Sequence, residues 1–224
     1  MLKKIASISV YSIFIQLFGL ISSVLVARML GAEGRGELAV IMMWPSIIAS
    51  TGLLGVDIVF ARKGPSFDYY DVSLYKTAVF FAVTLGVAFA LIGYFLLPYI
   101  LSKDKLYLIS FAEISLLFIP SSMLTVFLYS IALGRGNIKR YNIIRLIFPP
   151  LYVTSLFFVL LIGDVSVANV IYSFVFSSTI TGLLVIGYSF YECRPVESHT
   201  ISKIEILRSG LPFGISSSIF SFST

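Results

Sequence analysis

The chain has 224 residues, of which 58% are hydrophobic and 12% charged, about half the ~25% charged share of an ordinary globular domain. A soluble domain of this length must present much of its surface to water, so this composition excludes one and points to an integral membrane protein. The net charge of +5 would suggest nucleic acid in a soluble chain, but here the cations lie between apolar runs and no nucleic-acid partner is expected.

Seven charge-free runs follow one another: 5–27, 38–56, 77–102, 114–134, 146–163, 165–191 and 209–224. At ~1.5 Å rise per residue, about 20 residues cross a hydrocarbon layer of ~30 Å. With flanking residues added, transmembrane helices are predicted near 5–30, 38–61, 75–101, 107–133, 141–163 and 166–190. The fold class is therefore an all-α integral membrane bundle of six helices plus the start of a seventh. The seventh run opens as a helix at Gly210-Leu211-Pro212-Phe213 and ends at Thr224. It is too short to span and reads as a cut helix, the chain as a fragment or the product of a shortened frame.

The first run follows Lys3 and Lys4. It is longer than a signal-peptide core and lacks a clear small-x-small cleavage site, so a retained helix is expected. Its Ser9, Ser12, Gln16, Gly19 and Ser23 advance by three or four residues and share one face. Small and hydroxyl residues there suit close helix contact or a cavity lining, and Gln16 is able to hydrogen-bond across an interface. Arg28, Glu33, Arg35 and Glu37, with Gly31, Gly34 and Gly36, then make the polar turn of a helical hairpin.

Asp57 and Arg62 close the second helix, where local pairing or snorkelling is expected. Glu113 falls about two turns into the fourth helix and is costly in lipid. It suits ligand or ion coupling if the helix starts where predicted, and an interface position if it starts later. Pro120, Pro149 and Pro150 interrupt the fourth and fifth helices and are candidate hinges. Arg145, one turn into the fifth helix, is placed either to meet an anionic headgroup or to anchor the inner leaflet with Lys139 and Arg140. Tyr69, Tyr70, Tyr75, Tyr99, Tyr107, Tyr188 and Tyr191 fall near helix ends, as an aromatic belt does.

With the N-terminus cytoplasmic, twelve Lys and Arg residues lie on the inner side and four on the outer, Arg28, Arg35, Lys103 and Lys105. The opposite threading would reverse the positive-inside asymmetry. The expected location is the cytoplasmic (inner) membrane, multi-pass. Cys193 and His199 are the only residues of their kinds, both in an inner loop, so no internal disulfide and no metal site are predicted. Gly134-Arg135-Gly136-Asn137 lacks the Gly-Lys-Ser/Thr ending of a phosphate-binding loop. No catalytic set and no cofactor are expected, so the chain reads as a non-enzyme.

The stretch Val26-Ala27-Arg28-Met29-Leu30-Gly31-Ala32-Glu33-Gly34-Arg35-Gly36 resembles the first turn of polysaccharide-exporting flippases, including O-antigen (lipopolysaccharide) flippases of the multidrug/oligosaccharidyl-lipid/polysaccharide (MOP) superfamily. Leu133-Gly134-Arg135-Gly136 with Tyr141-Asn142 resembles that family's inner loop between helices four and five, and Ser209-Gly210-Leu211-Pro212-Phe213 the opening of its seventh helix. The resemblance implies a six-helix N-terminal lobe at 1–191, an inter-lobe loop at 192–208 and the start of a second lobe at 209–224. It implies alternating access by two lobes and a polyprenyl-diphosphate-linked oligosaccharide as cargo. The implied partners are that lipid-linked cargo, membrane lipids, the missing C-terminal lobe and other polysaccharide-assembly proteins. Arg28 and Arg145 are then the diphosphate candidates, Arg28 alternatively capping the outer end of its helix, and Glu113 and Gln16 are the further substrate-binding candidates. Lipid II flippases carry Arg-Asp where this chain has Ser22-Ser23, which argues against lipid II. Drug/cation antiporters, the alternative, usually carry an acid in the first helix, and 5–27 has none. A non-transporting remnant is the third reading.

Overall fold

The structure is a computed structural model describing residues 2–66, 72–100, 107–191 and 203–221, with side chains at 8–65, 72–100, 107–191 and 203–214. Among the described residues it is helical throughout: α1 (Leu2–Gly52), α2 (Val56–Lys63), a 3-10 turn at Gly64–Ser66, α3 (Val72–Ile100), α4 (Ile109–Ser115), α5 (Phe118–Gly134), α6 (Ile138–Ile162), α7 (Val167–Tyr191) and α8 (Lys203–Ser221). Among the described residues five stretches are long and apolar enough to cross a membrane: Ile8–Gly52, Val72–Ile100, Ile109–Gly134, Ile138–Ile162 and Val167–Tyr191.

The first of these is not one straight rod. Gly31 leaves the helical region at φ 69°, ψ −170°, a conformation that an L side chain strongly resists. Arg35 nevertheless donates to Ser23 Oγ at 2.9 Å, whereas twelve residues of unbroken helix would hold the two about 18 Å apart. The chain therefore doubles back at Gly31, and α1 is two limbs, as the hairpin reading expects. The turn is tighter than expected: the second limb is helical from Ala32, not from 38.

Two predicted helices are divided. The second ends at Gly52 and restarts at Val56, with Leu54 at φ 48° and Gly55 at φ 71° between. A neighbour holds this break in place: a Cβ on Gly55 would collide with the backbone of Gly210 and Gly214 in α8. Contact that close needs glycine on both sides, spaced four apart on the helix that supplies two of them. The fourth helix divides at Leu116 and Leu117, just ahead of Pro120. Pro120 has no N–H for the Leu116 carbonyl, which accepts instead from Ile119 N at 3.0 Å. By contrast α6 runs unbroken through Pro149 and Pro150.

α5 is the centre. The Ile109–Gly134 span that it completes is the most buried of the five and that of α1 the least, and α5 packs on α2, α3, α6 and α7. Phe60, Phe127, Met123, Leu128 and Ile131 are fully buried around it. Gly134 allows the end of α5 to lie on Ala61, whose carbonyl oxygen a Cβ would strike. Pro120 seats on Gly86 of α3, where a Cβ would come within 2.6 Å of the proline Cα. The first limb of α1, in contrast, leaves Ile13, Phe14, Leu17 and Leu20 half-exposed or more. α8 begins at Lys203, earlier than the predicted 209, and rests on α2 through a Lys63–Glu205 ion pair at 2.7 Å. Arg62 lies 4.2 Å over the Phe213 ring and makes no pair with Asp57.

Candidate functional site

A cleft of about 340 Å3 opens between the two limbs of α1 and the α6–α7 pair. The fold-back at Gly31 makes it, because it sets Ser22, Ser23 and Val26 of one limb opposite Arg35, Leu38 and Ser46 of the other. Seven residues separate Arg28 from Arg35, so on a straight helix they would share a face. The turn between them parts them. Arg35 lines the cleft and is held by Ser23; Arg28 is exposed and is not among the lining residues. Sequence reasoning missed Arg35 as a site residue, and its one available signal was the arginine's place directly after the Gly31 turn.

The far wall is aromatic. Phe174 of α7 meets Phe118, Phe148 and Tyr152 at ring-centroid distances of 5.1, 5.3 and 5.3 Å. Phe148 and Tyr152, which flank Pro149-Pro150 on α6, stack at 5.7 Å. Thr154 Oγ1 donates to the Pro150 carbonyl at 2.8 Å, drawing one hydroxyl into this stretch of backbone. The cleft thus combines one guanidinium and several hydroxyls with flat rings. Such a mixture suits a ligand with an anionic group and a broad, weakly polar body.

The other expected site residues lie apart from it. Gln16 is exposed and Gly19 has nothing within 4 Å, whereas Ser23 of the same stripe lines the cleft and holds Arg35. Glu113 is half-buried one turn into α4, immediately before the break at Leu116. Arg145 is half-buried, donating to the Tyr141 hydroxyl at 3.0 Å and lying 5.0 Å over that ring. Near the Gly31 end, the Tyr107 hydroxyl donates to Glu37, tying the start of the fourth span to α1. That bond to a carboxylate holds the Tyr107 hydroxyl above its ordinary value.

A second cluster is structural. Arg140, only 3% exposed, donates to the Tyr188 and Ser189 carbonyls at 3.0 and 2.5 Å. These are last-turn carbonyls of α7, which have no partner within their own helix. Arg135 donates to the Tyr75 hydroxyl at 3.2 Å, and both guanidinium groups lie over the Tyr75 ring. Tyr75 is therefore a buried pillar and not a belt residue, and Arg140 is a clamp and not a leaflet anchor. Tyr99 and Tyr191, each 88% exposed at a helix end, do fit the belt. Lys3, Lys4, Tyr69, Tyr70, Lys103, Cys193 and His199 lie outside the described side chains. Among those described, no three His, Cys, Asp or Glu residues gather as a metal site would require.

Over residues 1–224 the sequence matches the family described as polysaccharide biosynthesis protein. No curated protein matches it. Among solved structures it is similar to a MATE point mutant (18% identity, 99% of this chain and 53% of that one, TM-score 0.74). It is also similar to an outward-facing multidrug resistance MATE transporter of the MOP superfamily (20%, 97% and 52%, TM-score 0.73). A third is a MOP superfamily transporter from Pyrococcus furiosus whose binding pocket is described as of reverse polarity (19%, 97% and 52%, TM-score 0.69). The chain spans about half the length of these transporters.

Proposed function

We propose, on the premise that this chain belongs to the polysaccharide biosynthesis protein family, that it is the first lobe of an exporter that flips a polyprenyl-diphosphate-linked oligosaccharide from the inner to the outer leaflet of the cytoplasmic membrane. The observation that carries the reading is the cleft where Arg35 is held at 2.9 Å by Ser23 opposite an aromatic wall. One bond to Ser23 leaves the guanidinium its other N–H donors, and their planar fork matches the oxygens of a diphosphate. The rings of Tyr152 and Phe174 offer flat apolar surface to a sugar, and the cleft's serines offer hydroxyl partners. Its N-terminus faces the cytoplasm, a second lobe closes the chamber, and other polysaccharide-assembly proteins supply and take the cargo. Glu113, Arg145 and Gln16 bind along the route, and Pro120 with Pro149-Pro150 marks where the lobe flexes.

Complementation of a gene-deletion strain tests this. Arg35→Ala is expected to lower surface polysaccharide about tenfold, the loss of one charge-assisted contact worth ~1.4 kcal/mol. Arg35→Lys recovers part of it and Arg28→Ala stays near wild type. Full surface polymer with Arg35→Ala would overturn the reading. A changed resistance to cationic drugs with unchanged polymer would favour the antiporter instead, for which the first helix offers no acid between 5 and 27.

A further inference from the structure

Outside the Arg35 cleft, a groove of about 490 Å3 runs between the end of α6 and the start of α7. Its floor is polar but satisfied: Ser155 Oγ donates to the Tyr152 carbonyl at 2.8 Å and accepts from Ser177 Oγ at 3.0 Å. Its sides are apolar and open outward, with Phe158 61%, Ile162 77% and Phe176 62% exposed along two membrane-spanning helices. Its mouth holds Asp164, the only charged residue between 146 and 191. Asp164 is exposed and has no ion-pair partner among the described residues. The mouth is braced, because Asn169 Nδ2 donates to the Asp164 carbonyl at 2.8 Å.

An occupant must therefore be apolar along the sides and cationic at the mouth. A sterol brings no cation, and an anionic lipid would set its charge against the carboxylate. We propose that this groove binds an aminophospholipid, its ammonium on the Asp164 carboxylate and an acyl chain between Phe158 and Phe176. The ammonium–carboxylate pair is a charge-assisted hydrogen bond at the membrane boundary. Tyr172, which lines the same groove, donates its hydroxyl to the phosphodiester.

The test is to reconstitute the whole chain in bilayer discs of equal phosphatidylethanolamine and phosphatidylglycerol, wash it in mild detergent and quantify the retained lipid by mass spectrometry. The wild type is expected to retain phosphatidylethanolamine about fivefold over phosphatidylglycerol, the upper range for a boundary ion pair. Asp164→Asn brings the ratio to parity, and Asp164→Glu, which keeps the carboxylate, restores it. Phe176→Ala lowers retention of both lipids. Three results would overturn the proposal: a preserved preference in Asp164→Asn, preferred retention of phosphatidylglycerol, or no selective retention by the wild type. Disulfide crosslinking between copies through Ile162→Cys in native membranes would also overturn it, because the groove would then be a protein interface.

Discussion

Arg140 and Arg35 show how differently one residue type is used in a bilayer. Arg140 is buried and spends its donors on the last carbonyls of α7. Removing it strands those acceptors in a low-dielectric setting, where each costs ~1–3 kcal/mol. Arg140→Ala is therefore expected to lower stability by about 3 kcal/mol in detergent unfolding, and Arg140→Lys to recover part of that as a point charge without the fork. Arg35 sits in an open cleft and makes one neutral bond to Ser23, so its loss should leave the fold intact and act on cargo alone. Arg145 is intermediate, stacked on Tyr141 and half-buried. If it meets the diphosphate, Arg145→Ala lowers transport more than Arg145→Lys does; equal transport by both variants and the wild type would reduce it to an anchor.

At the scale of the helices, breaks occur where a neighbour can receive them. The Leu54–Gly55 break is backed by Gly210 and Gly214, and the Leu116 break by Pro120 seated on Gly86. The double proline of α6, the strongest local signal in the sequence, leaves its helix continuous. Close approach makes the crossing glycines far less replaceable than the exposed one. Gly134→Ala, which drives a methyl into the Ala61 carbonyl, is expected to cost 3 kcal/mol or more, at or above the ~1–3 kcal/mol usual for overpacking. Gly19→Ala meets nothing within 4 Å and is expected to stay within about 0.5 kcal/mol of wild type. Thermal unfolding of the two variants side by side checks the contrast.

The described residues are packed unevenly. Their interior gathers around α5, while the first limb of α1 leaves Gln16, Gly19 and the apolar residues Ile13, Phe14, Leu17 and Leu20 exposed. Solved transporters of the same fold are about twice as long, and a second lobe beside α1 is the occupant proposed here. The threading can be checked without it. Reporter fusions at Lys103 and at Lys139 are expected on opposite sides of the membrane, the second one cytoplasmic. Signals from one compartment would reverse a span and remove the orientation on which the flippase reading depends.

Hydropathy is a property of the chain in one dimension, and so the amino-acid sequence by itself determined the all-helical membrane class and the spans of α3, α6 and α7 to within about three residues. The positions of Lys and Arg likewise set the expected threading, because charge and segment length are read along the chain. Which side chains meet was decided only in three dimensions. A single backbone rotation at Gly31 put Arg35 and not Arg28 into the cleft. The Leu54–Gly55 break depends on glycines more than 150 residues further along, and the role of Arg140 on carbonyls 48 and 49 residues away. No local pattern carries that information, since packing joins surfaces that the sequence keeps apart.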